Sequence, residues 1–234
     1  MDGGKGMRAG VLYGIGVGPG DPELLTIKAV RLIKECDILA IPQKKIGECF
    51  AYRIALNAVP EVKDKPVLPV DMPMTRDKAV REAAYKAGAK KIAEVLSGGR
   101  KVVFLTLGDP SVYSTFAYLA PQVRSLGFDV VWIPGVTSFC ASAAALGQSL
   151  CADREELHII PGGINAGDAL SFPGTKVFMK GELDVLLDAI REKGHSARAV
   201  ENCGTDNERL YNTLEDIPGD AGYYLVTIAK EKEE

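Results

Sequence analysis

Histidine is scarce. Only His158 and His195 occur in 234 residues, and neither has cysteine or carboxylate neighbours at the spacing of a metal site, so no bound metal is predicted. The five cysteines, Cys36, Cys49, Cys140, Cys151 and Cys203, are odd in number and never stand as C-x-x-C. That argues against a disulfide framework and for a reducing compartment. No long basic run exists, which argues against a general nucleic-acid binder. No charge-free apolar stretch reaches membrane-spanning length, and the opening MDGGKGMRAG lacks the apolar segment of a secretory signal. A soluble, cytoplasmic chain with no membrane partner is expected. There is no G-x-S-x-G nucleophile elbow and no repeat of clear period, so neither a hydrolase triad nor a solenoid is supported.

What remains is the composition of a folded chain. Hydrophobic residues make up 47%, enough for a sizeable core, and the 25% that are charged nearly cancel, to a net −3. Strand and helix patterns alternate from residue 11, which predicts an α/β fold. Val11 to Ile15 reads as a strand buried on both faces. Asp21 and Pro22 read as the start of a helix, with Leu25, Ala29, Leu32 and Ile33 as its buried line. Asp37 to Ile41 is strand-like, and a polar, proline-marked stretch covers 60 to 77. A helix from Arg76 to Leu96 ends at Gly98 and Gly99. Val102 to Leu107 reads as a central strand, followed by a helix near Thr115 to Ser125 and a strand from Phe128 to Ile133. The second half repeats the style. Ser138 to Leu146 and Leu183 to Lys193 read as helices, and Leu157 to Ile160, Lys176 to Met179, Ala197 to Glu201 and Tyr223 to Ile228 as strands. Two α/β domains are expected, 8–130 and 134–230, with a hinge near 127 to 135 and a ligand cleft between them.

Four loops carry candidate chemistry. In GIGVGPGD, residues 14 to 21, glycines after a strand let backbone N–H groups approach a ligand. Pro19 occupies the third-glycine register of a dinucleotide fingerprint, and no phosphate-loop lysine follows, so neither of those motifs fits. In TLGDPSVYST, residues 106 to 115, Gly108 admits close contact, and Asp109 either caps the following turn or balances a positive ligand. Tyr113 either lines a pocket or packs. In IPGVTS, residues 133 to 138, Thr137 and Ser138 either cap the next helix or offer hydroxyls to a ligand. ENCGTDNER, residues 201 to 209, is either a polar surface turn or a ligand loop, and Asp206 or Asn207 capping a helix would explain part of its polarity. Lys44, Lys45, Arg53, Arg76, Lys78 and Arg81 are either a solvated surface or a rim for a carboxylate-bearing ligand.

The ordered set GIGVGPGDPELLTIKA, FLTLGDPSVYSTF, IPGVTSFCASAAALG, KVFMKG and ENCGTDNERLY resembles the tetrapyrrole methylase family from about residue 10 to 229. The resemblance implies a two-domain α/β fold with a cofactor cleft between the domains, S-adenosylmethionine as methyl donor, an acidic tetrapyrrole substrate and a homodimer. DILAIPQKK, VLPVDMPMTRDKAVREAAY and LHIIPG resemble the members that methylate C-20 of precorrin-2 or of its cobalt-bearing relative, factor II. Another ring carbon and a noncatalytic nucleotide-binding module remain open alternatives. Carried over by matching position, the cofactor contacts are Pro19, Leu107, Gly108, Asp109, Val112, Thr137, Ser138, Met179 and Gly204. No catalytic base is assigned.

Overall fold

Continuous apolar runs with no polar alternation belong to strands covered on both faces, and four of the five strands of the first sheet are such runs. The computed structural model describes residues 10–232, so the expected domain start at residue 8 lies outside the described residues. The chain divides into two units between Val136 and Thr137. In the first unit, β1 (Val11–Gly16), β2 (Ile38–Ile41), β3 (Val67–Pro69), β4 (Lys101–Thr106) and β5 (Asp129–Ile133) form a parallel sheet in the order β3-β2-β4-β1-β5. The Val102 to Leu107 run therefore does take the central place. Helices α1 (Ile27–Glu35) and α2 (Phe50–Ala58) cover one face through Ile33, Ile54, Leu105 and Ile133. Helices α3 (Lys78–Ser97) and α4 (Phe116–Ser125) cover the other through Ile92, Leu96, Phe104 and Phe116.

Local chemistry sets the helix starts. Thr26 Oγ1 accepts from the Ala29 amide at 3.1 Å and begins α1. Asp21 instead caps a short 3₁₀ turn, Pro22–Leu24, accepting from the Glu23 amide at 2.8 Å. The expectation that Asp21 begins the main helix is thus corrected, because Thr26 supplies the competing cap five residues later. Asp77 caps α3 through the amides of Ala79 and Val80. The proline-marked stretch at 60 to 77 hides the edge strand β3. Helix α2 lies in a stretch to which the sequence pattern above assigns no element. Burial pushes the Cys36 thiol up to about 11, so it packs as an apolar side chain.

The second unit holds α5 (Ser138–Ala145), β6 (Leu157–Pro161), α6 (Ala166–Ala169), β7 (Thr175–Met179), α7 (Leu183–Glu192), β8 (Ser196–Glu201), β9 (Arg209–Tyr211) and β10 (Leu225–Lys230). Its sheet runs β6-β7-β10-β8-β9. β10 is antiparallel to both β7 and β8, so these two point the same way and their carboxyl ends share one edge. No helix directly follows residue 207. The chain enters β9 instead, and the helix-cap reading of Asp206 or Asn207 is corrected. A polar, glycine-bearing loop without an apolar line has no face on which a helix could pack.

At the opposite edge Lys176 is fully buried and lies 3.3 Å from His195 Nε2. Burial, and then the neighbouring Lys176 charge, holds the His195 pKa below its usual 6.5. The unfolded chain therefore binds more protons than the folded one as pH falls through 6.5, and stability drops in that direction. Urea unfolding at pH 5 and pH 7 is expected to show a smaller loss for His195→Gln than for the parent chain. Equal losses would remove His195 from the account.

Candidate active site

In an open parallel sheet, ligands collect where loops leave the carboxyl ends of adjacent strands. The loops after β4, β1 and β5 leave neighbouring strands of the first sheet. Backbone bonds join the first two. Gly108 N donates to Gly18 O at 2.8 Å, and Gly18 N donates to Gly108 O at 3.3 Å. Both glycines have positive φ, +67° at Gly108 and +77° at Gly18, a region that favours glycine. Pro19 is buried beside this bridge. The third loop joins through Asp109, whose Oδ2 accepts from the Gly135 amide at 2.9 Å. Its Oδ1 accepts from the Ser111 amide at 2.7 Å and from the Ser111 hydroxyl. Asp109 is therefore a turn cap and a tether between two loops. Thr106 and Ser114 hydroxyls meet at 2.8 Å beneath the same loop, and Ser114 Oγ accepts from the Phe116 amide.

The glycines have different reasons. A Cβ on Gly14 would lie 2.1 Å from the Phe116 ring, so that glycine serves packing. A Cβ on Gly16 would lie 2.4 Å from Gly108 O, and one on Gly135 2.3 Å from the same oxygen. These two permit the close stacking of three loops. A Cβ on Gly108 meets only Val136 O, at 4.0 Å. An added Cβ there would make no tight contact, which leaves room for a ligand atom. Gly16 and Gly135 were not among the predicted site residues, although their places directly after β1 and β5 carried the signal.

The other candidates lie in the second unit. Thr137 stands at the N-cap position of α5 but makes no side-chain cap bond. Its Oγ1 is buried and has no hydrogen-bond partner. A buried hydroxyl in that state is a ready contact for a polar ligand atom. Ser138 opens the first turn of α5 and is half-buried. Met179 ends β7, followed by Lys180 at φ +72° and Gly181 at +140°. Gly204 has φ +76°, and its amide donates to Glu208 Oε2 at 2.7 Å. The register sets Met179 against Val226 and Glu201 against Leu225, so Met179 and the Gly204 loop sit at one edge of the second sheet. Buried Glu201 accepts from Tyr211 OH at 2.9 Å and from the Gly222 amide at 2.6 Å, anchoring that loop. The room beside Gly108 and the unpartnered Thr137 hydroxyl both fit a cofactor bound largely by backbone and hydroxyl groups.

Most of the predicted basic set is engaged in surface contacts. Lys44 pairs with Asp71 at 3.1 Å, Lys45 with Glu48 at 3.0 Å and Lys78 with Glu82 at 3.8 Å. Arg53 stacks on Phe50, Arg81 donates to Thr75 O, and Arg76 is exposed. Among the described residues no cluster of three metal-ligating side chains occurs, and no helix is long and apolar enough to cross a membrane.

The two sheets and the glycine loops define a fold shared with solved methyltransferase structures. The structure of uroporphyrin-III C-methyl transferase from Thermus thermophilus complexed with S-adenyl homocysteine matches with a TM-score of 0.66 and 22% identity, covering 94% of this chain and 97% of that one. The family described as Tetrapyrrole (Corrin/Porphyrin) Methylases matches residues 11–218, and the chain belongs to it. A precorrin-2 C(20)-methyltransferase of Sinorhizobium sp is 33% identical over 239 residues, 96% of each chain. A cobalt-precorrin-2 C(20)-methyltransferase of Salmonella typhimurium is 34% identical over 152 residues, 64% of this chain and 63% of that one. The cobalamin biosynthesis protein CobIJ of Mycobacterium bovis is 35% identical over 165 residues, 68% of this chain, but the matched part is only 32% of that relative's length.

Proposed function

We propose that this protein transfers the methyl group of S-adenosylmethionine to C-20 of precorrin-2 or of cobalt-factor II, in the making of cobalamin. The near-full-length likeness to the Sinorhizobium enzyme carries the reading, since it extends over 96% of both chains. When bound, S-adenosylmethionine supplies an electrophilic methyl on a sulfonium. The protein's own contribution is orientation, which can account for much of such a transfer. Gly108 leaves room beside its Cα at φ +67°, and Pro19, Leu107 and Val112 flank it in the same loop cluster. Asp109 keeps that loop in place, because its carboxylate is bonded to Ser111 and Gly135. Thr137 Oγ1 brings a hydroxyl in need of a partner, and Ser138, Met179 and Gly204 complete the assigned contacts. A homodimer in the cytoplasm belongs to the same reading.

The test pairs two substrates, metal-free precorrin-2 and cobalt-factor II, with methyl-labelled donor, and locates the new methyl by NMR. The expected product of at least one carries the label on C-20. Label on another ring carbon, or transfer to neither substrate by a protein that binds the donor, would defeat the assignment.

A further inference from the structure

The second unit has a cavity of about 450 Å³ at the end of its sheet opposite Met179 and the Gly204 loop. It opens where β8 begins and β10 ends, since Ser196 and Lys230 are register partners. The Gly204 loop follows the other end of β8. Five rises of about 3.3 Å, from the first to the last residue of β8, put roughly 17 Å between the two ends. Four cations line the cavity, Arg191, Arg198, Lys230 and Lys232, against one carboxylate, Glu215. Behind it stands the fully buried Lys176, with His195 between Lys176 and the cavity wall.

The surrounding acids do not use up this charge. Arg191 pairs with Asp188 at 2.9 Å, Lys230 with Glu155 at 3.5 Å and Lys176 with Glu231 at 3.3 Å. Among the described residues, Arg198 and Lys232 have no carboxylate within ion-pair distance. Arg198 has only the side-chain carbonyl of Gln148, at a long 3.5 Å. A guanidinium offers a planar fork of donors that matches the two oxygens of a carboxylate or phosphate. The apolar walls, Leu214 and Ile228, leave room for more than a bare ion.

We propose that this end of the second sheet binds a small molecule through a phosphate or carboxylate group, held by Arg198, at a site separate from methyl transfer. Calorimetric titration of the full chain with inorganic phosphate and with citrate, at ionic strength fixed by chloride, tests it. At least one anion is expected to bind saturably, and which one binds names the group recognised. Arg198→Gln is expected to weaken that binding by about tenfold or more, with Arg198→Lys between the two. An unchanged thermal midpoint without anion confirms that the exposed substitution leaves the fold alone. Binding of neither anion by about 10 mM, or equal binding by Arg198→Gln and the parent, overturns the proposal.

Discussion

Gly108→Leu is expected to fold and to bind S-adenosylhomocysteine at least about a hundredfold more weakly than the parent. The added Cβ makes no tight contact, because the nearest atom beyond the chain neighbours is Val136 O at 4.0 Å. The backbone does bear a cost, since φ is +67° and a non-glycine residue there loses about 1–2 kcal/mol. Gly108→Ala bears the same backbone cost with almost no added bulk. Calorimetry on both variants separates the effects. Alanine should retain most of the affinity that leucine loses. Equal affinities for leucine and parent, with the fold intact by circular dichroism, would move the donor away from this loop.

The second large effect is structural. Gly16→Ala puts a methyl 2.4 Å from Gly108 O and 2.9 Å from the Gly135 backbone. Backbone atoms in a buried, hydrogen-bonded bridge cannot swing aside as a side-chain tip can. Overpacking of this kind costs about 1–3 kcal/mol, and the three loops must part to admit it. Urea unfolding should show that loss, and affinity for S-adenosylhomocysteine should fall with it. Gly47→Ala is the control, because its Cβ would meet nothing within 4 Å. If Gly16→Ala matches the control in stability, the loops are not stacked as described.

Four of the five strands of the first sheet are readable because they are apolar runs bounded by glycine and proline. Val102 to Leu107 could be given its central place for that reason, and the Tetrapyrrole (Corrin/Porphyrin) Methylases match agrees with the ordered loops. Short elements were less legible. β3 has three residues and β9 has three, too few for any period to show. The turn at Asp21 carries a correct cap, but the distance from that cap to α1 depends on Thr26, which competes for the same role. In the site, glycine spacing marked the loops but not their separate duties. Gly14 yields to Phe116, Gly16 and Gly135 to a carbonyl, and a Cβ on Gly108 would have no tight contact. Only three-dimensional neighbours distinguish these. Tethers across long sequence gaps, such as Asp109 to Gly135 or Glu201 to Gly222, leave no periodic trace at all.

The position of β10 governs the order in which the molecule can be made. It is the last strand of its unit in the chain, yet it fills the middle of that sheet, with β7 on one side and β8 on the other. Until residue 230 has emerged from the ribosome, β7 and β8 have no common neighbour and their facing backbone groups must stay wet. The first unit has all five strands in hand by residue 133, so it can close while the second is still being translated.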